Sequence, residues 1–336
     1  MIDILFTSVP YTETEEPIMA PAVLKSIAIS AGYSAKGIDL NAELISTVKN
    51  NSRYSKIEEF LTHNNLHSDV FADITNLIDL AAERILSFNA KIVGLSLLTL
   101  HSQVFTYWLC VRLKSLSPET QIVIGGTGIK NTILSNKNEF CDDLQSRGLI
   151  DHYITGDGEA SLVEFLKGNY NFPGINSLTW DELREVGRFP CPDYDDYDFS
   201  LYNEPMIPIT DSRGCVRACE FCDIIEHWKK FVYRSAESVF EEMLAQCNKY
   251  DIYEFSFRNS LTNGNLREFR KLMEYIAEYN EGRSREKQMS WRGYFIVRSE
   301  TQHPEDLWKV MSKTNPGLLL GVESVVQHVR WGLGKK

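Results

Sequence analysis

Residues 206–222 read MIPITDSRGCVRACEFC, a short apolar run followed by a polar loop with three cysteines. The apolar run is typical of a buried strand, so Cys215, Cys219 and Cys222 follow directly on a strand end. Gly214, just before the first cysteine, lets the backbone turn closely. Because functional groups of parallel α/β sheets gather where strands end, we expect the three thiols at the carboxyl edge of a sheet.

The three thiols admit three interpretations. As iron ligands, they can hold three irons of a cubane and leave the fourth iron open, because no fourth cysteine lies nearby. Together with His227 they supply the donors of a tetrahedral zinc site, although zinc knuckles are usually small and self-contained. They can also be three unconnected thiols, which their clustering disfavours. The remaining cysteines are scattered and are expected to be buried or half-buried thiols without a role: Cys110, Cys141, Cys191 and Cys247.

The spacing CxxxCxxC, with the aromatic Phe221 before the last cysteine, resembles the signature of the radical S-adenosylmethionine superfamily. That resemblance implies a 4Fe-4S cluster on Cys215, Cys219 and Cys222 whose open iron binds the amino and carboxylate groups of S-adenosylmethionine. It also implies an electron donor such as flavodoxin or ferredoxin, and cleavage of the sulfonium bond to a 5′-deoxyadenosyl radical. The cofactors then carry the difficult chemistry, while the protein holds the cluster and aims the radical.

Further segments carry the same resemblance. Residues 321–324, Gly-Val-Glu-Ser, resemble the family's ribose-contacting segment, so Gly321, Glu323 and Ser324 are expected cofactor contacts, with the Glu323 carboxylate accepting from two hydroxyls. Arg298 follows an apolar run at a position where the family often has polar contacts to the cofactor. A departure occurs at 258–259, which read Arg-Asn where related sequences often have an acidic residue.

Alternating apolar and amphipathic segments predict four βα units after residue 206, part of a parallel barrel. The strands are predicted at 206–211, 254–258, 290–297 and 317–322, with helices near 238–250, 266–279 and 304–313. The family's core usually has six units, whereas this chain ends at Lys336, so we expect a core truncated after the fourth strand. An uncovered strand edge favours pairing with a second polypeptide that completes the barrel.

Residues 1–168 predict a doubly wound, Rossmann-like α/β domain with strands at 2–9, 35–40, 91–98, 121–125 and 151–155. A domain of this kind before a radical core resembles the cobalamin-binding class of the superfamily. The resemblance is carried by small residues at strand ends, which let a bulky corrin approach the backbone. They are Ser96, Thr99, Gly125, Gly126, Gly156 and Gly158. The DxHxxG pattern that supplies an axial histidine in some cobalamin proteins is absent, and residues 151–153, Asp-His-Tyr, do not substitute for it.

Residues 169–205 contain Pro173, Pro190 and Pro192 and an acidic-aromatic run at 193–198, which favours a partly packed interdomain linker. The net charge of −11 provides no basic footprint for nucleic acid or an anionic membrane, so a small-molecule substrate is expected. No basic, apolar leader precedes the first strand and no run is long enough to span a membrane, which predicts a cytoplasmic protein.

These observations predict a radical S-adenosylmethionine enzyme that uses cobalamin to methylate an unactivated carbon of a small molecule. A cyclase or ring-rearranging enzyme of the same architecture is an alternative that the sequence does not separate from it. Two further alternatives are a truncated, non-catalytic remnant that binds the cluster or cobalamin, and a zinc-binding interaction protein.

Overall fold

The computed structural model describes residues 1–11, 14–129, 139–177, 190–222, 224, 228, 230–302 and 304–335. These residues divide into two compact units. The first contains the described residues up to 177 together with 190–204, and the second contains the described residues from 205 onward. His227, the expected fourth ligand of the zinc alternative, lies outside the described residues. Over the part of the chain described, no helix combines the length and apolar character that a membrane span requires.

The first unit is built on a five-stranded parallel sheet with the order β2-β1-β3-β4-β5. The strands are β1 Ile2–Ser8, β2 Ala35–Ile38, β3 Ala90–Ser96, β4 Gln121–Gly125 and β5 His152–Ile154. The described helices are α1 Met19–Ser30, α2 Leu40–Val48, α3 Tyr54–His63, α4 Phe71–Leu86, α5 Ser102–Leu116, α6 Glu139–Ser146 and α7 Glu159–Leu166. The winding direction reverses between β1 and β3, the point where sheets of this order bind ligands at their carboxyl edge.

Apolar runs explain why these segments form strands. Leu5, Val93 and Ile122 on the central strands are fully buried, as expected for a sheet covered on both faces. Helix α4 buries residues at helical spacing, among them Leu77, Ala81 and Ile85, which join the same core. All five strands that the sequence predicted in this half are present, with ends that differ by a few residues.

The acidic-aromatic segment, expected to be a partly packed linker, packs within the first unit. Tyr194 is completely buried. Lys25, itself almost fully buried, contacts the carboxylates of Asp193 at 3.0 Å and Asp196 at 2.6 Å. The Tyr202 hydroxyl donates to Asp39 at 2.9 Å. Residues 190–204 therefore belong to the first unit, and the carboxylates of Asp193 and Asp196 are paired inside it, whereas Asp195 and Asp198 are exposed.

The second unit is built on a four-stranded parallel sheet with the order β11-β10-β9-β6. Its strands are β6 Ile207–Ile209, β9 Glu254–Phe257, β10 Ser290–Tyr294 and β11 Pro316–Leu319, and an antiparallel pair consists of β7 Ser212–Arg213 and β8 Val232–Tyr233. The described helices are α8 Ala236–Tyr250, α9 Leu266–Asn280, α10 Glu305–Met311 and α11 Gln327–Gly332. All four predicted parallel strands are present, and β10 and β11 end three residues earlier than expected, which leaves Arg298 and residues 321–324 in loops.

Candidate cofactor site

The three cysteines lie on the loop that joins β7 to β8, beyond the carboxyl end of β6. Gly214 starts this loop with a φ of +79°, which only glycine adopts without strain. A Cβ at this position would lie 2.5 Å from the carbonyl oxygen of Lys230. The local sequence Ser-Arg-Gly-Cys thus ends a strand and turns the chain sharply into the cysteine loop.

The thiols share this loop with different degrees of exposure. Cys219 is buried, while Cys215 and Cys222 are half-buried. The amide of Arg217 donates to Cys215 Sγ at 3.4 Å, and the amide of Cys222 donates to the Cys219 carbonyl at 3.0 Å. Burial raises the pKa of the Cys215 thiol, the Arg217 amide opposes that rise, and the charges of Cys219 and Cys222 add to it. The three sulfurs are therefore close enough to interact electrostatically.

The donors that the loop offers to a metal are the thiols of Cys215, Cys219 and Cys222. Within the described residues, no three His, Cys, Asp or Glu side chains converge tightly enough to form a ready-made metal site. Three thiols on one short loop are nevertheless the donor set that iron–sulfur clusters use. The residues present thus fit a cluster in donor type, and all three lie on one loop.

Buried polar contacts of Asp211 and Arg234 hold the chain just before the cysteine loop. Asp211, two residues beyond the end of β6, accepts hydrogen bonds at Oδ1 from Ser212 Oγ at 2.7 Å and from Asn259 Nδ2. The amide of Arg234 donates to the Asp211 carbonyl at 2.7 Å. The Arg234 guanidinium donates to the Thr210 carbonyl at 3.0 Å and pairs with Glu242 at 2.6 Å. The departure at 258–259 is thereby partly explained, because Asn259 faces a carboxylate that the neighbouring strand supplies.

Asp211 gives the second unit a pH dependence. Burial raises its pKa from 3.8 to about 7, and the hydrogen bonds from Ser212 and Asn259 oppose that rise. Between these two values the folded chain holds a proton here that the unfolded chain releases, so this site's contribution to stability is lost as the pH rises toward 7. Asp211→Asn keeps the accepting Oδ1 and removes the titration. Because only wild type loses stability over this range, the free energy of unfolding of the variant minus that of wild type should increase from pH 5 to pH 8 in urea unfolding. Parallel pH profiles of the two proteins would contradict this.

Arg298 lies on the loop that follows β10, near the cysteine loop. Its Nη2 donates to the Asn263 carbonyl at 3.1 Å. Burial lowers the pKa of its guanidinium, the nearby Arg217 lowers it further, and Cys215 opposes both. Arg298 and the first cysteine, 83 positions apart in the chain, therefore interact across the carboxyl ends of β6 and β10.

The Gly-Val-Glu-Ser segment follows β11 and adopts an unusual turn. Glu323 has a φ of +58°, a left-handed conformation that is uncommon for a residue with a side chain. Its Oε1 pairs with Lys335 Nζ at 2.6 Å. A Cβ on Gly321 would lie 2.7 Å from that same carboxylate oxygen, so the glycine makes room for the Glu323 side chain. The Ser324 hydroxyl accepts from the Val326 amide at 3.1 Å, at the start of α11.

Phe221 connects these two regions. Its ring is about half exposed, with a relative exposure of 51%. The ammonium of Lys335 lies 5.8 Å from the centre of the ring. The cysteine loop, Glu323 and Lys335 thus form one contiguous group at the carboxyl edge of the second sheet.

The small residues of the first unit lie where the sequence predicts, at the carboxyl ends of β3 and β4. Ser96 and Gly125 end these strands and are register partners. Gly126 has a φ of +98°, and a Cβ there would lie 2.3 Å from the Leu97 carbonyl oxygen. The space beside Gly126 is therefore filled by the neighbouring loop of the protein itself.

The next positions repeat this pattern. A Cβ on Gly128 would lie 2.3 Å from the Thr99 carbonyl oxygen, and the Thr99 and Ser102 hydroxyls are 3.4 Å apart. Gly156 and Gly158 both have a φ of +83°, and Gly158 caps the amino end of α7. Chain packing and turn geometry are sufficient to explain why glycine occupies these positions, without a bound ligand. Exposed apolar side chains stand beside them, at Leu98 and Leu100.

His152, the histidine closest in pattern to an axial ligand, is packed on its own unit. Its ring stacks on Tyr170 with centroids 4.3 Å apart, and its Nδ1 is 2.8 Å from Asn176 Nδ2. Burial lowers its pKa.

Sequence reasoning missed two residues of the second site, Asp211 and Lys335. Asp211 directly precedes the Ser-Arg-Gly-Cys turn, so its position after a buried strand was a usable signal. Lys335 follows Gly334 at the end of a short helix, a pattern that predicts a helix stop but not the partner of the lysine.

Comparison with family models and with curated proteins finds no match for this sequence. Solved structures do resemble it. The radical S-adenosylmethionine methyltransferase TsrM from Kitasatospora setae, with tryptophan substrate and the analogue aza-SAM bound, is 13% identical with a TM-score of 0.65, and the match covers 99% of this chain and 61% of that chain. A TsrM structure with cobalamin and a 4Fe-4S cluster bound is 12% identical with a TM-score of 0.66, covering 98% and 60%.

The cobalamin-dependent S-adenosylmethionine radical enzyme OxsB, with aqua-cobalamin and S-adenosylmethionine bound, is 14% identical with a TM-score of 0.67. The match covers 100% of this chain and 46% of OxsB. This chain therefore spans between 46% and 61% of the length of these proteins. At this level of identity the similarity establishes the fold. The chain has an α/β fold with parallel sheets that it shares with the cobalamin-dependent radical S-adenosylmethionine enzymes.

Proposed function

We propose that this chain is the front part of a radical S-adenosylmethionine enzyme with a 4Fe-4S cluster on Cys215, Cys219 and Cys222. The observation that carries the proposal is the three-thiol loop at the carboxyl edge of a parallel sheet, with Arg298 beside it. The same edge carries Glu323 on the loop after β11. The fold shared with TsrM and OxsB supports this assignment.

The residues of the site have separate tasks in this proposal. The three thiolates would hold the cluster, and Gly214 makes the turn that leads into their loop. Glu323 accepts hydrogen bonds from the two ribose hydroxyls of S-adenosylmethionine, a task suited to a carboxylate. Arg298 supplies a fixed positive charge beside the loop, which suits the carboxylate of the cofactor. The bound cluster and S-adenosylmethionine supply the reducing electron and the 5′-deoxyadenosyl radical.

We propose further that the first unit, residues 1–168, binds cobalamin as a Rossmann-like domain and that the reaction is methyl transfer to an unactivated carbon of a small molecule. Two observations support a ligand at this edge: the strand order reverses between β1 and β3, and Leu98 and Leu100 are exposed there as an apolar contact surface. The TsrM and OxsB structures with bound cobalamin support the same cofactor.

Two partners follow from the proposal. The cluster needs an electron donor such as flavodoxin or ferredoxin. The outer edge of the second sheet needs a cover, because β11 pairs only with β10 among the described strands and exposes Leu319, Leu320 and Val322 nearby. We propose that a further polypeptide segment completes the partial barrel of residues 206–336 at this edge.

The test is anaerobic reconstitution of the chain with iron and sulfide, followed by visible and electron paramagnetic resonance spectra. We expect a reducible 4Fe-4S signal that changes when S-adenosylmethionine is added, because the open iron binds the cofactor. Cobalamin binding is measured on the same sample by its visible spectrum. Purification with bound zinc and without iron or labile sulfide would contradict the proposal. Cluster and cofactor binding without any cleavage of S-adenosylmethionine, with β11 covered by its partner segment, would reduce the chain to a binding remnant.

A further inference from the structure

The segment after helix α11 packs against the cysteine loop, and the geometry of the carboxyl end of this helix places it there. Gly334 has a φ of +70°, its amide donates to the Trp331 carbonyl at 3.0 Å, and the Lys335 amide donates to the Arg330 carbonyl at 2.8 Å. These two hydrogen bonds, together with the left-handed conformation of the glycine that follows the helix, form a Schellman motif. The motif reverses the chain direction at Gly334 and so determines where Lys335 points.

The reversed segment contacts the cysteine loop through its backbone. The Glu220 amide, between the second and third cysteines, donates to the Leu333 carbonyl at 3.2 Å. A Cβ on Gly334 would lie 3.3 Å from the Ala218 carbonyl oxygen and 3.5 Å from the Glu220 nitrogen. A side chain at 334 would therefore push the segment away from the loop as well as strain its own backbone.

The side chain of Lys335 then bridges two parts of the site. Its Nζ contacts Glu323 Oε1 at 2.6 Å and lies 5.8 Å from the centre of the Phe221 ring. The lysine and glutamate side chains are only 26% and 36% exposed, so both are partly desolvated. Glu323 sits in a left-handed conformation that persists only if its surroundings hold it. The ion pair with Lys335 is the described contact that holds its carboxylate.

We infer that Lys335 is a positioning residue that aims the Glu323 carboxylate at the ribose of S-adenosylmethionine and ties that carboxylate to the cysteine loop. The inference rests on the proposed function, since it assumes that Glu323 binds the cofactor. The ammonium fixes one carboxylate oxygen and leaves the other to accept from the sugar hydroxyls. Leu333 and Phe221 link the segment that carries Lys335 to the cysteine loop. The expected ribose site and the expected cluster site are therefore fixed relative to each other.

The experiment measures binding of S-adenosylmethionine to the reconstituted full chain by isothermal titration calorimetry. Lys335→Met is expected to weaken binding by about tenfold with unchanged iron and sulfide content, as for other residues that orient a ligand-binding group. Lys335→Arg should restore most of the affinity, because it keeps the charge. The matched control is Lys287→Met: Lys287 also lies between a carboxylate, Asp251 at 2.5 Å, and an aromatic ring, Tyr253 at 4.9 Å, outside the site.

Two readouts separate positioning from general structural support. In a Glu323→Gln background, Lys335→Met should have no further effect, because the two residues act through one contact. Binding of 5′-methylthioadenosine, which has the ribose but no amino-acid group, should weaken by the same factor as binding of S-adenosylmethionine. If wild type binds S-adenosylmethionine and Lys335→Met binds it equally well, or if the two substitutions are additive, the inference alone is overturned. If reconstituted wild type binds no S-adenosylmethionine, the proposed function falls and this inference with it.

Discussion

Cys219→Ala is expected to abolish the proposed 4Fe-4S cluster, the spectral change on adding S-adenosylmethionine and any reductive cleavage of that cofactor. Cys219 is the central and most buried of the three thiols, and its carbonyl accepts the amide of Cys222. A cluster that already has an open iron cannot lose a second protein ligand and keep the same structure. Iron and labile sulfide analysis after anaerobic reconstitution, with electron paramagnetic resonance of the reduced sample, measures the loss.

Cys247→Ala is the matched control for this experiment. Cys247 is buried on α8, outside the cysteine loop, and burial raises the pKa of its thiol to about 12. A thiol with so high a pKa is a poor ligand for metal and a weak nucleophile. Full cluster content is therefore expected in the Cys247 variant. Retention of the cluster in Cys219→Ala, or equal loss in both variants, would remove the assignment of the loop as the cluster site.

Arg234→Met is expected to lower the free energy of unfolding of the second unit by about 3–5 kcal/mol, the usual cost of removing one partner of a buried ion pair. Arg234 and Glu242 are 10% and 8% exposed at their side chains, and their closest atoms are 2.6 Å apart. Burial raises the pKa of Glu242, and Arg234 opposes that rise. Without the guanidinium, a buried carboxylate loses its counter-charge and the Thr210 carbonyl loses a donor.

The double variant Arg234→Met, Glu242→Leu separates the ion pair from the packing around it. Replacing both partners by apolar residues of similar volume removes the uncompensated charge, so much of the lost stability should return. Thermal and urea unfolding followed by circular dichroism measure both variants. A double variant less stable than Arg234→Met would mean that the guanidinium acts mainly through its backbone hydrogen bonds and would contradict this account.

The strand pattern and the cysteine spacing carried most of the prediction. A short apolar run before CxxxCxxC was enough to predict a strand that ends at a functional loop, because strand ends of parallel sheets meet at one edge. The placement of Arg298 after a strand of the same sheet followed from the same rule. These features are local in sequence, or follow from the parallel arrangement alone.

Features that depend on distant partners could not be predicted. Residues 193–198 look solvated because they are acidic, yet Lys25, 168 positions before Asp193, pairs with Asp193 and Asp196 inside the first unit. Lys335 follows a helix stop, and only the geometry of the Schellman motif brings it back to Glu323. The pKa of Asp211 depends on burial by elements that follow it in the chain. In each case the decisive contact is made by residues that the local pattern does not connect.

The interlocked glycine loops of the first unit have a consequence for how this protein can diverge. The Leu97 amide donates to the Gly125 carbonyl at 2.8 Å, and the Gly128 amide donates to the Leu97 carbonyl at 2.9 Å. Both glycines after β4, Gly126 and Gly128, lie against backbone oxygens. Positions 126 and 128 should thus accept almost no other amino acid, whatever ligand the unit binds. Leu98 and Leu100 are exposed, so their side chains should be freer to vary. Ligand preference can then change at these two leucines while the backbone around the glycines stays the same. A saturation mutagenesis library should therefore tolerate many residues at positions 98 and 100 and few at positions 126 and 128.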